Sequence, residues 1–88
     1  MPLSVQEKFD KAVAYVKNLP EDGPYQPDQD TKLKYYANFK QGTEGDVNIA
    51  KPGVFSPVAR VKWSAWEGVK GRSKEDAQKE YVKLLVEV

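Results

Sequence analysis

Three aromatic residues and one lysine lie close together in one short segment of this chain, Tyr-Tyr-Ala-Asn-Phe-Lys-Gln at residues 35–41. If the segment is helical, Tyr36 and Lys40 lie one turn apart, with Cβ atoms separated by about 5–6 Å. A ring and a positive charge then share one surface with Phe39 beside them. Such a ring can stack on an aromatic base while the ammonium contacts phosphate oxygen. Lys62 adds a second charge from a later segment, so these residues predict a nucleotide-type site.

The composition limits other chemistry. The chain of 88 residues contains no cysteine and no histidine, so it lacks a thiol nucleophile and the commonest general base and metal ligand. Carboxylates such as Glu44 and Asp46 could serve acid–base catalysis, but no nucleophile motif accompanies them. Asp28-x-Asp30 resembles the start of a calcium loop without its Gly and Glu, and helix capping explains both residues. We expect no enzyme, no cofactor and no metal site.

Charge and hydropathy limit the kinds of partner that this chain can have. The chain has 14 Lys and Arg residues against 13 Asp and Glu residues, which does not favour a nucleic acid as partner. The longest apolar runs, such as residues 84–86, are far shorter than the roughly 20 residues needed to cross a bilayer. The N-terminus shows no signal-peptide pattern. We expect a soluble cytoplasmic monomer with one domain, residues 1–88, and no stable membrane insertion.

Periodicity and end signals predict the first two helices. Ser4-x-x-Glu7 is a capping box, and an apolar stripe follows it from about Val5 to Leu19. Prolines and glycine then give a polar loop over residues 20–27. The second helix should begin at a cap formed by Asp28 or Asp30. It should end near Gly42, since glycine readily adopts the left-handed conformation that terminates helices.

Two further helices have similar signals. Ser56 is typical of an N-cap with Pro57 at the first helical position, and the third helix should continue to Gly71. Ser73-x-x-Asp76 resembles a second capping box, and apolar residues follow at helical spacing to the C-terminus. Four amphipathic helices bury their apolar stripes only by packing on one another, so the sequence predicts an all-α four-helix domain.

The connection between the second and third helices, residues 43–55, contains two glycines and a proline and should be irregular. Loops of this length are usually functional or packed by their own side chains. We therefore expect the apolar residues of this loop to fold back onto the core, namely Val47, Ile49, Val54 and Phe55. Trp63 and Trp66 should be core residues, because burial of such large apolar side chains stabilises the fold.

Several spaced motifs, in this order, resemble the acyl-CoA-binding protein family. They are Phe-Asp-Lys-Ala at 9–12, the segment at 35–41, Gly-Asp-Val-Asn at 45–48, Lys-Pro-Gly at 51–53, Lys-Trp-Ser-Ala-Trp at 62–66 and Lys-Gly-Arg-Ser-Lys-Glu-Asp-Ala at 70–77. The resemblance covers nearly the whole chain. It implies a four-helix up-down-down-up bundle, in which the long connection lets the second and third helices run parallel. It also implies binding of medium- to long-chain fatty acyl-CoA by an intracellular carrier and pool former.

The resemblance implies roles for particular residues. Tyr36 and Lys40 match a tyrosine and a lysine around the adenosine 3′-phosphate, and Lys62 matches the second phosphate-contacting lysine. Phe39 stands where the family usually has a second tyrosine, which keeps a face for stacking on adenine but removes the phenolic donor. Four further positions match: Lys17 at the border of the head group, Tyr81 near the nucleotide, and Leu33 and Val13 as acyl-groove candidates.

Some positions depart from the family pattern. Gly42-Thr43-Glu44 replaces a commoner Ala-Thr-Val run and places an acid near the phosphate region. Lys32 occupies a position that is commonly apolar, and the proline-rich loop is longer than usual, so the preferred acyl length stays open. The alternative interpretation is a helical protein-interaction module without a lipid ligand, because an exposed groove can also take a partner helix.

Overall fold

The computed structural model describes residues 3–20, 22–24 and 26–86. These residues form four helices and no strand: α1 (Val5–Lys17), α2 (Gln29–Glu44), α3 (Pro57–Glu67) and α4 (Lys74–Val86). The helix α2 packs against both α3 and α4, and α1 packs against α4. The predicted all-α four-helix class is confirmed.

The first helix begins as predicted. Ser4 Oγ accepts a hydrogen bond from the Glu7 N–H at 3.1 Å, and the Glu7 carboxylate accepts one from the Ser4 N–H at 3.4 Å. This reciprocal pair is the capping box. The helix ends at Lys17, slightly before the predicted Leu19, because the Asn18 side chain donates to the Ala14 carbonyl at 2.8 Å and closes the last turn.

The end of α2 differs from the prediction. Asp28 caps the start by accepting from the Thr31 N–H at 2.8 Å. Hydrogen bonds from the side chain and the backbone of Thr31 hold the pKa of the Asp28 carboxyl below its usual range. The helix does not stop near Gly42 but continues to Glu44. Gly45 terminates it with φ of 83°, a backbone conformation that glycine adopts without strain.

Gly42 instead lies inside α2 at a close helix contact. A Cβ atom at this position would meet Gln78 Cγ at 3.0 Å and Phe9 Cζ at 3.3 Å. The absence of a side chain therefore lets α2 approach α4 and the Phe9 ring. The predicted role of Gly42 as a helix terminator was wrong, because a packing glycine and a terminating glycine look alike in one sequence.

The last two helices begin near their predicted positions. Pro57 occupies the first turn of α3, although the Ser56 side chain makes no capping hydrogen bond. The helix ends at Glu67 with Gly68 as its cap, earlier than the predicted Gly71. At the start of α4, Ser73 Oγ accepts from the Asp76 N–H at 3.0 Å, so the serine half of the predicted capping box is present.

An aromatic cluster forms the centre of the core. The Phe9 ring meets the Tyr81 ring edge-on at 5.3 Å, and the Tyr35 ring is tilted against Tyr81 at 5.1 Å. Ala12 completes this cluster, and Trp66 is fully buried, with 1% of its surface exposed. The predicted core position of Trp66 is thus confirmed, whereas Trp63 is only half-buried and that part of the prediction was wrong. The cluster joins α1, α2 and α4 into one unit.

The α2–α3 loop, residues 45–56, does not fold back onto the core as predicted. Val47 is half-buried, but Ile49, Val54 and Phe55 are exposed, Phe55 to 97%. The prediction assumed that apolar side chains must anchor a long loop. Hydrogen bonds from the two tryptophans of α3 anchor the loop backbone instead.

Both tryptophans of α3 hold this loop by their indole N–H groups. Trp63 Nε1 donates to the Ile49 carbonyl at 2.8 Å, and Trp66 Nε1 donates to the Gly45 carbonyl at 2.9 Å. Buried indole N–H groups usually find such partners. The loop backbone is therefore attached to α3 at two points, while Ile49, Val54 and Phe55 point outward.

Candidate ligand-binding site

One side of α2 carries three of the predicted site residues. Phe39 and Lys40 lie three and four positions after Tyr36 in this helix, and all three are half-buried. Residues at these spacings are neighbours on a helix surface. The predicted juxtaposition of ring and ammonium on one face is therefore present.

Lysines from the two adjacent helices cover the two rings. Lys62 Nζ of α3 lies 5.5 Å from the centroid of the Tyr36 ring, and Lys17 Nζ of α1 lies 5.5 Å from that of Phe39. Both distances fall within the range of cation–π attraction. The structure thus brings Lys17 and Lys62 to the α2 face from opposite neighbours, and with Lys40 they make it cationic. We call Lys17, Tyr36, Phe39, Lys40 and Lys62 the cationic aromatic face.

The Phe39 ring has two environments. Its centroid lies 6.3 Å from that of the buried Phe9 ring, with the planes 28° apart, so one part of the side chain packs against the core. Lys17 approaches from outside. A half-buried ring held in this way is a rigid surface against which a flat ligand can stack.

Lys40 makes the shortest polar contact of this face. Its Nζ lies 2.5 Å from Glu44 Oε2 and 5.3 Å from the centroid of the Trp66 ring. The hydrogen bond to Glu44 raises the pKa of Lys40, and the same bond lowers the pKa of the Glu44 carboxyl. The acid that departs from the family pattern is therefore in direct contact with a predicted phosphate-binding lysine.

Tyr81 lies in the core rather than on this face. It is 3% exposed, and its ring contacts Phe9 and Tyr35. Tyr81 contacts Phe9, and Phe9 packs against the ring of Phe39, so Tyr81 supports this face from within the core. A direct contact of Tyr81 with a ligand stays a prediction.

The two acyl-groove candidates lie in different places. Val13 is half-buried and packs against the aromatic cluster of the core. Leu33 lines an apolar hollow of about 500 Å³ between α2 and α3, and Lys51 of the loop borders it. The other residues that line this hollow are Arg60, Val61, Ser64 and Ala65. Leu33 also borders a second hollow of about 390 Å³ that extends to α4.

Apart from Leu33, the residues around the hollow were not singled out from the sequence. Val61 directly precedes Lys62 and lies one turn after Val58, so a helical wheel would have placed it beside the ligand lysine. Arg60 and Lys51 carried no comparable signal, because their position depends on how the loop meets α3. The hollow is thus a product of the tertiary structure.

A polar network joins the C-terminal part of α2 to the segment before α4. Gln41 is fully buried and donates from Nε2 to Asp46 Oδ1 at 2.8 Å and to the Arg72 carbonyl at 2.7 Å. The Gly71 N–H also donates to Asp46 Oδ1, at 2.9 Å. These bonds, above all that from Gly71, lower the pKa of Asp46. Sequence reasoning missed the network, although Gln41, Asp46 and Gly71 all lie within the motifs.

A cationic aromatic face on one side and an apolar hollow between the helices define a four-helix binding domain for an amphipathic, anionic ligand. The family model described as acyl CoA binding protein matches residues 6–85. The chain belongs to this family, which binds acyl-CoA.

Relatives from other organisms are similar to this chain in sequence. Acyl-CoA-binding protein homolog 3 of Caenorhabditis elegans is 45% identical over 83 residues, which cover 94% of this chain and 72% of that protein. Acyl-CoA-binding domain-containing protein 5A of Danio rerio is 41% identical over 85 residues. This match covers 93% of the chain but only 17% of the longer protein.

Solved structures share the fold. The crystal structure of ACBP from Moniliophthora perniciosa superposes with a TM-score of 0.92 at 49% identity, covering 99% of this chain and 81% of that one. Acyl-CoA-binding protein 2 of Oryza sativa gives 0.85 at 34% identity, covering 96% and 89%. The predicted four-helix fold of the acyl-CoA-binding protein type is confirmed.

Proposed function

We propose that this domain binds medium- to long-chain fatty acyl-CoA esters and acts as a cytoplasmic, monomeric carrier and pool former. Membership of the acyl-CoA-binding protein family supports acyl-CoA binding in general. The observation that carries the finer proposal is the presence of two chemically different surfaces on one helix pair. The cationic aromatic face suits the head group, and the hollow lined by Leu33 suits an acyl chain.

The head group is assigned to the cationic aromatic face. Lys40 and Lys62 supply positive charge on either side of Tyr36, where the 3′-phosphate would be held by charge-assisted hydrogen bonds. Phe39 supplies a stacking surface for adenine, and Lys17 borders it. Tyr81 supports this face from the core. Free fatty acids lack the phosphates and the base, so this face would discriminate against them.

The acyl chain is assigned to the hollow between α2 and α3. Leu33 and Val61 contribute apolar walls, and the methylene stems of Lys51 and Arg60 extend them. Each buried CH₂ group stabilises the complex by about 0.8 kcal/mol. A chain of several buried methylenes thus adds substantially to the binding free energy. Val13 is the second candidate for chain contact, from the side of α1.

No catalytic step is needed for this role. Glu44 and Asp46, the carboxylates considered for acid–base work, both have lowered pKa values. Glu44 is hydrogen-bonded to Lys40, and Asp46 to the Gly71 N–H. A general acid needs the opposite shift, toward neutral pH. These contacts support a structural role for both residues and a binding protein that leaves the thioester intact.

Calorimetric titration tests the proposal. Palmitoyl-CoA, free CoA and palmitate are titrated in parallel at low and high salt, with the fold checked by circular dichroism. We expect tight one-to-one binding of the ester, weaker binding of either part alone, and loss of affinity with added salt because exposed charges are screened. A folded sample that binds no ester would contradict the proposal and favour the helical protein-interaction module.

A further inference from the structure

A second hollow lies next to the one proposed for the acyl chain. The first hollow has a volume of about 500 Å³, and the second one has a volume of about 390 Å³. Leu33, Ser64 and Ala65 line both of them. Because the two hollows share three wall residues, they meet at this border. They therefore form one groove along the contact between α2 and α3.

The groove follows one side of α3 and of the turn that ends this helix. Residues at spacings of three and four lie on the same side of a helix. One pair of residues borders only the first hollow, the next pair borders both hollows, and the third pair borders only the second. In chain order these pairs are Arg60 and Val61, Ser64 and Ala65, and Gly68 and Val69. The groove thus continues from the first hollow toward the C-terminal end of α3.

The second hollow adds an apolar lining and a charged border to this groove. Ala37 of α2 is buried at its wall, and Leu84 contributes a second apolar wall from α4. The charged residues at its border are Lys34, Arg72 and Glu80. Their charged ends stay in water, because burying an unpaired charge is costly. An alkyl chain is therefore stabilised inside this hollow, and the charged border limits how far it extends.

Gly68 keeps the second hollow open. Its backbone has φ of −63° and ψ of −17°, a right-handed helical conformation that any residue can adopt. The backbone therefore does not require a glycine at this position. A Cβ atom added to Gly68 would meet the Ala65 and Ser64 carbonyl oxygens, both at 3.4 Å. A side chain here is thus compatible with the fold, but it would take up space at the wall of the second hollow.

We propose that the second hollow receives the terminal methylene groups of long acyl chains, and that the absence of a side chain at Gly68 sets the chain length that the groove accepts. This inference rests on the proposed function, because it extends the acyl site from Leu33 to α4. Short chains end in the first hollow, whereas long chains continue past Ala65 into the second. Each additional buried methylene group strengthens binding about fourfold, so affinity rises with chain length.

Titration with acyl-CoA esters of different length tests this assignment. Octanoyl-, palmitoyl- and stearoyl-CoA are titrated into the wild type and into Gly68→Leu, with each ester below its micelle concentration. Wild-type affinity should rise from octanoyl- to stearoyl-CoA. Gly68→Leu should bind stearoyl-CoA about tenfold or more weakly than the wild type does, the effect of about two lost methylene contacts. Its affinity for octanoyl-CoA should be unchanged. Circular dichroism checks the fold of the variant.

Gly53→Leu is the matched control. A Cβ atom added to Gly53 would meet no atom within 4 Å, and Gly53 does not line the two hollows of the groove. The same side chain added there should leave the affinity for all three esters unchanged.

A second measurement uses the wild type and needs no substitution. Stearoyl-CoA with an isotope-labelled terminal methyl group is bound to the protein, and NMR records the nuclear Overhauser effects of that methyl group. They should connect it to the side chains of Ala37 and Leu84, which line only the second hollow. The same methyl group of octanoyl-CoA should contact Val61 of the first hollow instead.

Three results would overturn this inference alone. The first is a folded Gly68→Leu variant in which octanoyl- and stearoyl-CoA binding change equally, or in which neither changes. The second is an equal loss of stearoyl-CoA affinity in Gly68→Leu and Gly53→Leu. The third is a terminal methyl group of stearoyl-CoA that contacts Val61 but neither Ala37 nor Leu84. In each case the wild type still binds the esters, so the proposed function would stand. A folded wild type that binds no ester would contradict the proposed function, and this inference with it.

Discussion

Lys40 and Glu44 form an ion pair within α2, with Lys40 Nζ 2.5 Å from Glu44 Oε2. Their side chains are one helical turn apart and partly exposed. The lysine assigned to the ligand phosphate is thus already bound to a carboxylate of its own helix. A phosphate that reaches Lys40 must compete with Glu44, and this competition is specific to a chain with an acid at this position.

Replacing Glu44 should therefore strengthen binding. Glu44→Gln removes the competing charge and the repulsion between carboxylate and phosphate, while keeping a side chain of similar size. Because exposed ion pairs are weak, we expect palmitoyl-CoA affinity to rise only about twofold to fivefold. Calorimetry at low salt measures the change. Glu75→Gln, which breaks the exposed pair of Glu75 with Lys79 on α4, is the control and should leave affinity unchanged. Equal or weaker binding by Glu44→Gln would show that Glu44 orients Lys40 for the ligand.

The two lysines beside Tyr36 should each contribute to the head-group contact. Lys40→Ala or Lys62→Ala should weaken palmitoyl-CoA binding by about 1–3 kcal/mol, the scale of a charge-assisted hydrogen bond. Both residues are outside the core, so the melting temperature should change little. Lys79→Ala removes an exposed lysine of α4 and serves as the control. If neither Lys40→Ala nor Lys62→Ala alters the dissociation constant, the head group is bound elsewhere.

Phe39 should act through its ring face. Phe39→Tyr keeps the ring and adds a hydroxyl, so binding should persist and become slightly tighter. Phe39→Ala removes the stacking surface and should cost about 1–3 kcal/mol of binding, the range for one base on an aromatic side chain. Phe55→Ala, the same change at an exposed position, should leave affinity unchanged.

The stability of the Phe39 variants must be measured alongside, because Phe39 also contacts the buried Phe9. Urea unfolding gives the free energy of unfolding for each variant. Loss of binding in a folded Phe39→Tyr variant would mean that this position tolerates no polar group and does not face the ligand.

Asp46 should make stability depend on pH. The bonds from Gly71 and Gln41 lower its folded-state pKa, so its contribution is present above the ordinary Asp value of about 3.9 and is lost as pH falls through the lowered value. Asp46→Ala should therefore lower the melting temperature at neutral pH. The difference from the wild type should shrink in acid, where the wild-type carboxyl is itself protonated.

Thermal melts followed by circular dichroism, from neutral pH down to pH values below the lowered pKa of Asp46, check the effect. Asp10→Ala makes the same change on the exposed side of α1, where the Gln6 side chain donates to Asp10, and should have little effect. A gap between Asp46→Ala and the wild type that widens in acid would contradict the assignment.

Local signals predicted the helix starts better than the helix ends. The Ser4 capping box and Pro57 depend on residues within one turn, so the sequence alone contains the information. For α2 the sequence offered Asp28 or Asp30 as the cap, and the structure has Asp28. The end of α2 depended instead on whether Gly42 or Gly45 terminates it. Only the approach of Gln78 and Phe9 distinguishes them, and that contact is tertiary.

The site was predictable where it follows one helix. The spacing of Tyr36, Phe39 and Lys40 placed them together, whereas the arrival of Lys17 and Lys62 depended on the packing of three helices. The helical spacing of Ala77, Tyr81 and Leu85 put Tyr81 on the apolar stripe of α4, in agreement with its burial. The outward direction of Phe55 had no local signal, since it results from the indole bonds that hold the loop.

The central claim is that Lys40 and Lys62 hold the 3′-phosphate of an acyl-CoA, and a ligand swap tests it most directly. Palmitoyl-CoA and its 3′-dephospho form are each titrated by calorimetry into the wild type and into Lys40→Ala. If the claim holds, the wild type binds the dephospho ligand more weakly, and Lys40→Ala loses affinity for palmitoyl-CoA but much less for the dephospho ligand. Equal affinity of the wild type for both ligands, or an equal effect of Lys40→Ala on both, would contradict it.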